Sequence, residues 1–111
     1  MKKLRFTAQF KKEINEFGVE VKEDIFLLVN RYLSGERLPK TQFKTFTLEK
    51  NKKIQEFKVK DRTGNWRVIS CQLDKEALTF IYAFHKKSQK LLEKDKKIII
   101  HRIKELHHEK N

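Results

Sequence analysis

The sequence predicts an α+β fold: an antiparallel sheet with an N-terminal helical hairpin on one face and a C-terminal helix, in the order β-α-α-β-β-β-α. Three observations predict it. Apolar residues recur every three or four positions up to Leu33, at alternate positions from Ile54, and at helical spacing again beyond residue 93. The chain is 111 residues long, one domain by size, and no internal repeat or linker divides it, so residues 1–111 are read as a single domain.

Residues 2–6 form a short strand. Phe6, Phe10, Ile14 and Phe17 then fall on one helix face, with Thr7 as N-cap and Gly18 as the stop. A second helix runs from Glu20 to Leu33, buries Val21, Ile25, Leu28, Val29, Tyr32 and Leu33, and ends at Ser34-Gly35. The short link between the two makes them an antiparallel hairpin. Residues 34–53 are polar, hold the only proline, and read as a loop with at most a fragment of strand, pinned by Phe43, Phe46 and Leu48.

From Ile54 the period is two. Phe57 and Val59 face one way, Lys58 and Lys60 the other. Asp61-Arg62-Thr63-Gly64-Asn65 is a hairpin turn, Trp66–Leu73 the return strand, and Asp74-Lys75-Glu76 a second turn. Leu78–Phe84 is apolar almost throughout, which predicts a central strand covered on both faces. Residues 93–108 form the last helix, with Ile99, Ile103 and Leu106 inward and Asp95 near its start.

Lys and Arg number 27 against 15 Asp and Glu, a net charge of +12 spread along the whole chain and weighted towards its second half. A compact domain with that charge repels itself, and a polyanionic partner relieves the repulsion. The longest unbroken apolar runs are five residues, against the roughly 20 a membrane helix requires. The single cysteine, Cys71, forms no intrachain bridge and reads as a small core residue. No apolar stretch follows the Met-Lys-Lys start, so a cytoplasmic protein is expected.

If the helix pair covers one face of the sheet, the other carries Lys58, Lys60 and, from the neighbouring strand, Arg67. His85, Lys86, Lys87, Gln89 and Lys90 follow the third strand of that sheet and would extend the cationic face into an RNA-binding groove. Alternating lysines on an outer strand also serve simply to prevent edge-to-edge aggregation. Trp66 can stack a base or fill the core. His101, Glu105 and His108 have the spacing of a one-sided metal site near the chain end, where exposed polar residues are the commoner reading. No Ser/His/Asp set, Gly-rich phosphate loop or paired Cys motif is present, and neither metal nor cofactor is expected.

The segments Glu56-Phe57-Lys58-Val59-Lys60, Gly64-Asn65-Trp66-Arg67-Val68 and Ala83-Phe84-His85-Lys86-Lys87-Ser88-Gln89-Lys90, in that order and spacing, resemble the RelE/ParE toxin superfamily, with the phage-associated, HigB-like branch nearest. Phe6–Lys12 and Arg102–Glu105 match the usual start and final helix of such proteins. The resemblance implies the toxin of a bacterial type II toxin–antitoxin pair, a metal-independent, ribosome-dependent mRNA endonuclease. Its partners would be the ribosome, mRNA and a cognate antitoxin, a small helix-turn-helix DNA-binding protein. It carries the basic active-site positions onto Lys58, Lys60, Arg67 and Lys87, with Lys86 beside it. Leu91-Leu92 stands where relatives commonly have Thr-Pro, and the C-terminal tyrosine of some relatives is absent.

The residue types suit cleavage of RNA through its own 2′-hydroxyl: a lysine made partly neutral by its neighbours as base, Arg67 for the phosphorane charge, Lys87 at the leaving oxygen, and His85 able to replace either proton carrier. Two alternatives stay open: a ParE-like gyrase inhibitor without enzymatic activity, and an inactive basic nucleic-acid-binding module.

Overall fold

The computed structural model describes residues 2–48, 52–87 and 91–109, the last three by backbone alone. The elements are β1 (Lys3–Phe6), α1 (Ala8–Ile14), α2 (Val19–Leu33), β2 (Phe43–Leu48), β3 (Lys52–Asp61), β4 (Gly64–Asp74), β5 (Ala77–Lys86) and α3 (Glu93–Glu109). The α+β class is as expected. The sheet has five strands in the order β1-β5-β4-β3-β2, antiparallel except for the parallel β1–β5 pair.

The extra strand is β2, within the segment expected to be mainly loop. Phe43 pairs with Phe57, and Phe46 with Ile54. The strand in the middle of the sheet is β4, not β5. β5 is nonetheless flanked by β1 and β4 and buried over most of its length.

The start of α1 and the end of α2 have local causes. The Thr7 Oγ1 accepts the Phe10 N–H at 3.1 Å and caps α1. α1 stops at Ile14, short of expectation, and Phe17 reaches the core from the link, while Gly18 is the N-cap of α2 rather than a stop for α1. α2 closes at Ser34, followed by Gly35 at a φ of 88°.

The sheet is covered on both faces. Phe10, Phe17, Ile25, Leu28 and Val29 from the first helical segment pack on Phe57, Val68, Leu78 and Phe80. On the other face Ile99 and Ile103 of α3 pack on Ile54, Ile69, Cys71 and Ile81. A register shift after Ile69 leaves Ile81 without a cross-strand partner in β4, so Ile81 and Tyr82 both serve the α3 side. The second face is therefore not open throughout. The expectation overlooked that the Ile99/Ile103 stripe of α3 needs a surface of its own. Among the described residues no helix is long and apolar enough to cross a membrane.

Candidate functional site

Beyond the apolar patch under α3, the same face turns polar towards the β3–β4 hairpin. Lys58 pairs with Arg67, Lys60 with Asn65, and Glu56 with Ile69. Cross-strand partners point to the same side, so Glu56, Lys58, Lys60 and Arg67 share this face. On β2, Lys44 stands opposite Glu56 and extends the row.

The expected grouping of Lys58, Lys60 and Arg67 is thus present, but not as one open surface. Arg67 is 1% exposed and lies in register between Lys58 and Phe84. Its Nη1 donates to the Glu56 Oε2 at 3.1 Å, and Glu56 is buried with it. Lys58 is nearly buried, and only Lys60 is exposed.

Burial pushes the Lys58 ammonium below the ordinary lysine range, and repulsion from Arg67 pushes the same way. The Glu56 carboxylate opposes them, and Lys44 and Lys60 add smaller repulsions. A lysine so placed is closer to neutrality than a solvated one, the condition for an amine to accept a proton.

Two hollows flank the cluster. One, about 500 Å³, is lined by Lys44, Phe46, Glu56, Arg67, Leu91 and Lys96. The other, about 520 Å³, lies at the sheet edge between β3 and α2 and includes Arg31, Lys58, Lys60 and Asn65. Lys58 and Lys60 therefore line one hollow and Arg67 the other.

The residues after β5 divide. Lys86 lies opposite Asn65, on the cationic face, but its ammonium is paired with the fully buried Asp95 of α3. The Tyr82 hydroxyl donates to the same carboxylate at 3.0 Å. Lys86 thus anchors the start of α3 instead of standing in an open groove. Its ammonium is pushed down by burial, with Lys94 and Arg67 adding repulsion.

His85 was expected beside the lysines. It pairs with Trp66, whose neighbour Arg67 must point to the opposite face, so His85 belongs to the α1/α2 side. Lys87 is exposed just past the strand. Gln89 and Lys90 lie outside the described residues.

His101 and Glu105 form an exposed pair at 2.9 Å, and the side chain of His108 lies outside the described residues. Among the described residues no group of three or more His, Cys, Asp or Glu side chains stands together as a metal site.

The sequence reading passed over Glu56 and Lys44 as site residues. Alternation already put Glu56 on the side of Lys58. Lys44 could be placed only once β2 was known to be a strand.

Residues 12–104 match the family described as phage derived protein Gp49-like (DUF891). Searches of the curated proteins and of the solved structures found no match. A match over that much of the chain, with the α+β fold already described, leads to one conclusion: the chain belongs to the phage-derived Gp49-like family, a toxin-like family of the RelE group.

Proposed function

We propose that this chain is the toxin of a bacterial type II toxin–antitoxin pair, of the HigB-like branch, and that it acts in the cytoplasm as a ribosome-dependent mRNA endonuclease. The whole chain serves as one domain, and its partner is a small helix-turn-helix antitoxin. The observation that carries the reading is the cross-strand pair Lys58–Arg67, in which an arginine and a near-buried lysine with a lowered ammonium pKa stand side by side, with Lys60 exposed two positions further on.

In this reading the neutral Lys58 amine takes the proton from the 2′-hydroxyl of the nucleotide at the cut. The 2′-oxygen attacks the phosphorus, the P–O5′ bond breaks, and Lys87 returns a proton to the departing 5′-oxygen. The products are a 2′,3′-cyclic phosphate and a 5′-hydroxyl. Lys60 and Arg67 stabilise the charge that grows on the phosphoryl oxygens.

Arg67 meets that charge from below. Its position is fixed by Glu56, so it loses little freedom when a phosphate arrives.

The test is induced expression with and without the adjacent open reading frame, with mRNA ends mapped in parallel. Cuts within translated codons that bear 5′-hydroxyl ends, absent from a Lys58→Met variant, are expected. Broken DNA with intact mRNA would overturn the nuclease in favour of a gyrase inhibitor. That second reading draws on one observation: a fully buried, carboxylate-bound Arg67 is also what a purely structural ion pair looks like.

A further inference from the structure

The other side of the β3–β4 hairpin holds an arrangement that phosphate cleavage does not use. Trp66 pairs with both Val59 and His85, and so lies on the α1/α2 face. Its indole meets Phe17 edge-on, ring centroids 4.9 Å apart, while the His85 imidazole lies over it at 3.9 Å with 30° between the planes. Trp66 is half-buried and donates its ring N–H to the Asp61 Oδ2 at 2.7 Å. His85 is exposed.

The imidazole is also held at its edge. Its Nε2 lies 3.0 Å from the Thr63 Oγ1, which itself lies 2.6 Å from the Asp61 Oδ1. Asp61 is kept ionised: the Thr63 hydroxyl holds its carboxyl below the usual range, with the Trp66 indole, the Thr63 N–H and His85 acting in the same direction against a contribution from burial. A carboxylate only accepts, and a hydroxyl has one hydrogen to give. Thr63 therefore donates to Asp61 and accepts from His85, so the imidazole carries its hydrogen on Nε2. The backbone at Gly64 leaves room for this edge: a Cβ there would lie 3.1 Å from Nε2.

An exposed ring fixed in plane by Trp66 and at its edge by Thr63 has little motion left to lose when something stacks on it. Exposed cations stand beside it: Arg62 in the turn and Lys87 two positions after His85 in the chain. A rigid aromatic platform among cations has the chemistry that holds unpaired bases of single-stranded RNA.

We infer that the His85–Trp66 pair is a stacking site for one unpaired nucleobase of a single-stranded RNA, with the exposed Arg62 of the turn taking an adjoining phosphate. The inference rests on the proposed RNA-directed function and deepens it. An RNA strand that meets both this platform and the Lys58–Arg67 pair must pass around the tip of the hairpin.

Trp66 is the only tryptophan, so emission excited beyond the absorption of Tyr32 and Tyr82 reports on this ring. The full chain is titrated at fixed salt with a 2′-O-methyl RNA of about ten nucleotides, which has no free 2′-hydroxyl to react, and with an abasic backbone of the same length. The base-bearing strand should quench Trp66 saturably and bind about ten-fold or more tightly than the abasic one. His85→Ala should lose that margin and keep salt-dependent binding, while His85→Phe should retain it.

Equal binding of the two strands, an unmoved Trp66 emission, or a full margin in His85→Ala overturns the site. The outcome separates from that of the nuclease: codon cuts without base-dependent quenching remove only the platform, and quenching without cuts removes only the nuclease.

Discussion

Glu56 and Arg67 reach each other diagonally across β3 and β4. Each faces a different residue in register, yet Nη1 and Oε2 lie 3.1 Å apart and neither side chain is open to water. Arg67→Ala removes the guanidinium bonded to the buried Glu56 carboxylate, which costs about 3–5 kcal/mol. Loss of toxicity in that variant would not distinguish a missing phosphate contact from a missing fold. Glu56→Leu with Arg67→Met removes both charges, and the double variant should unfold in urea close to wild type. If it too is strongly destabilised, the pair is held by more than its mutual charge.

Lys58 gives a pH dependence with a definite sign. Its pKa is lower in the fold than in the unfolded chain. At pH below the folded value both states hold the proton, and burial of the ammonium counts fully against the fold. As pH rises towards 10.5 the folded state releases its proton first and stability increases. Urea unfolding across that window should show a steeper rise in wild type than in Lys58→Met, where the lowered Lys86 still contributes.

For the reaction, Lys58→Arg keeps the charge but cannot become neutral. Cleavage in a translating extract should fall about 10²–10⁴-fold, the usual contribution of a general base. Unchanged cleavage would leave Lys58 only an electrostatic part.

Asp95 ties α3 to β5. Its carboxylate accepts from the Tyr82 hydroxyl, the Lys86 ammonium and, at 3.3 Å, the Leu92 N–H. Tyr82→Phe removes one bond to a buried charge and should cost about 1.5–3 kcal/mol. Hydrogen exchange of the first turn of α3 should accelerate in this variant, while the α1/α2 side stays protected. Uniform acceleration would show that α3 is not separately anchored there.

Two glycines differ in a way that substitution can read. Both have positive φ, 88° at Gly35 and 137° at Gly64. A Cβ on Gly35 meets nothing, whereas on Gly64 it would lie 2.6 Å from the Lys86 carbonyl oxygen. Gly35→Ala should cost only the backbone strain, about 1–2 kcal/mol, and Gly64→Ala distinctly more. Thermal melts of the two variants compare them directly.

Much of this was legible in the residues. The alternation from Ile54 placed Lys58 with Lys60, Thr7 was readable as a cap, and the apolar run in β5 announced a strand buried on both faces. β2 escaped because Phe43 faces α2, where it packs on Tyr32 and Phe57, while Phe46 and Leu48 face α3. Apolar residues on both sides of a short strand give no clean period of two. The burial of Arg67 and the side taken by His85 depend on register, which no single strand contains. Once Trp66 is set opposite His85 and Lys58 opposite Arg67, the face of each follows from alternation, while the burial of Arg67 follows from its place between Lys58 and Phe84 and its bond to Glu56.

The parallel pairing of β1 with β5 sets Lys3 beside Ala77 and Phe6 beside Phe80. During synthesis the first strand leaves the ribosome long before β5, its one neighbour in the sheet among the described residues, exists. Phe6 and Phe10, which pack on Phe80, must wait for it too. Closure of the sheet is therefore a late, non-local event of the kind that slows folding. A chain that terminates early, before Ala77, has no means of completing the layer on which α1 and α2 pack.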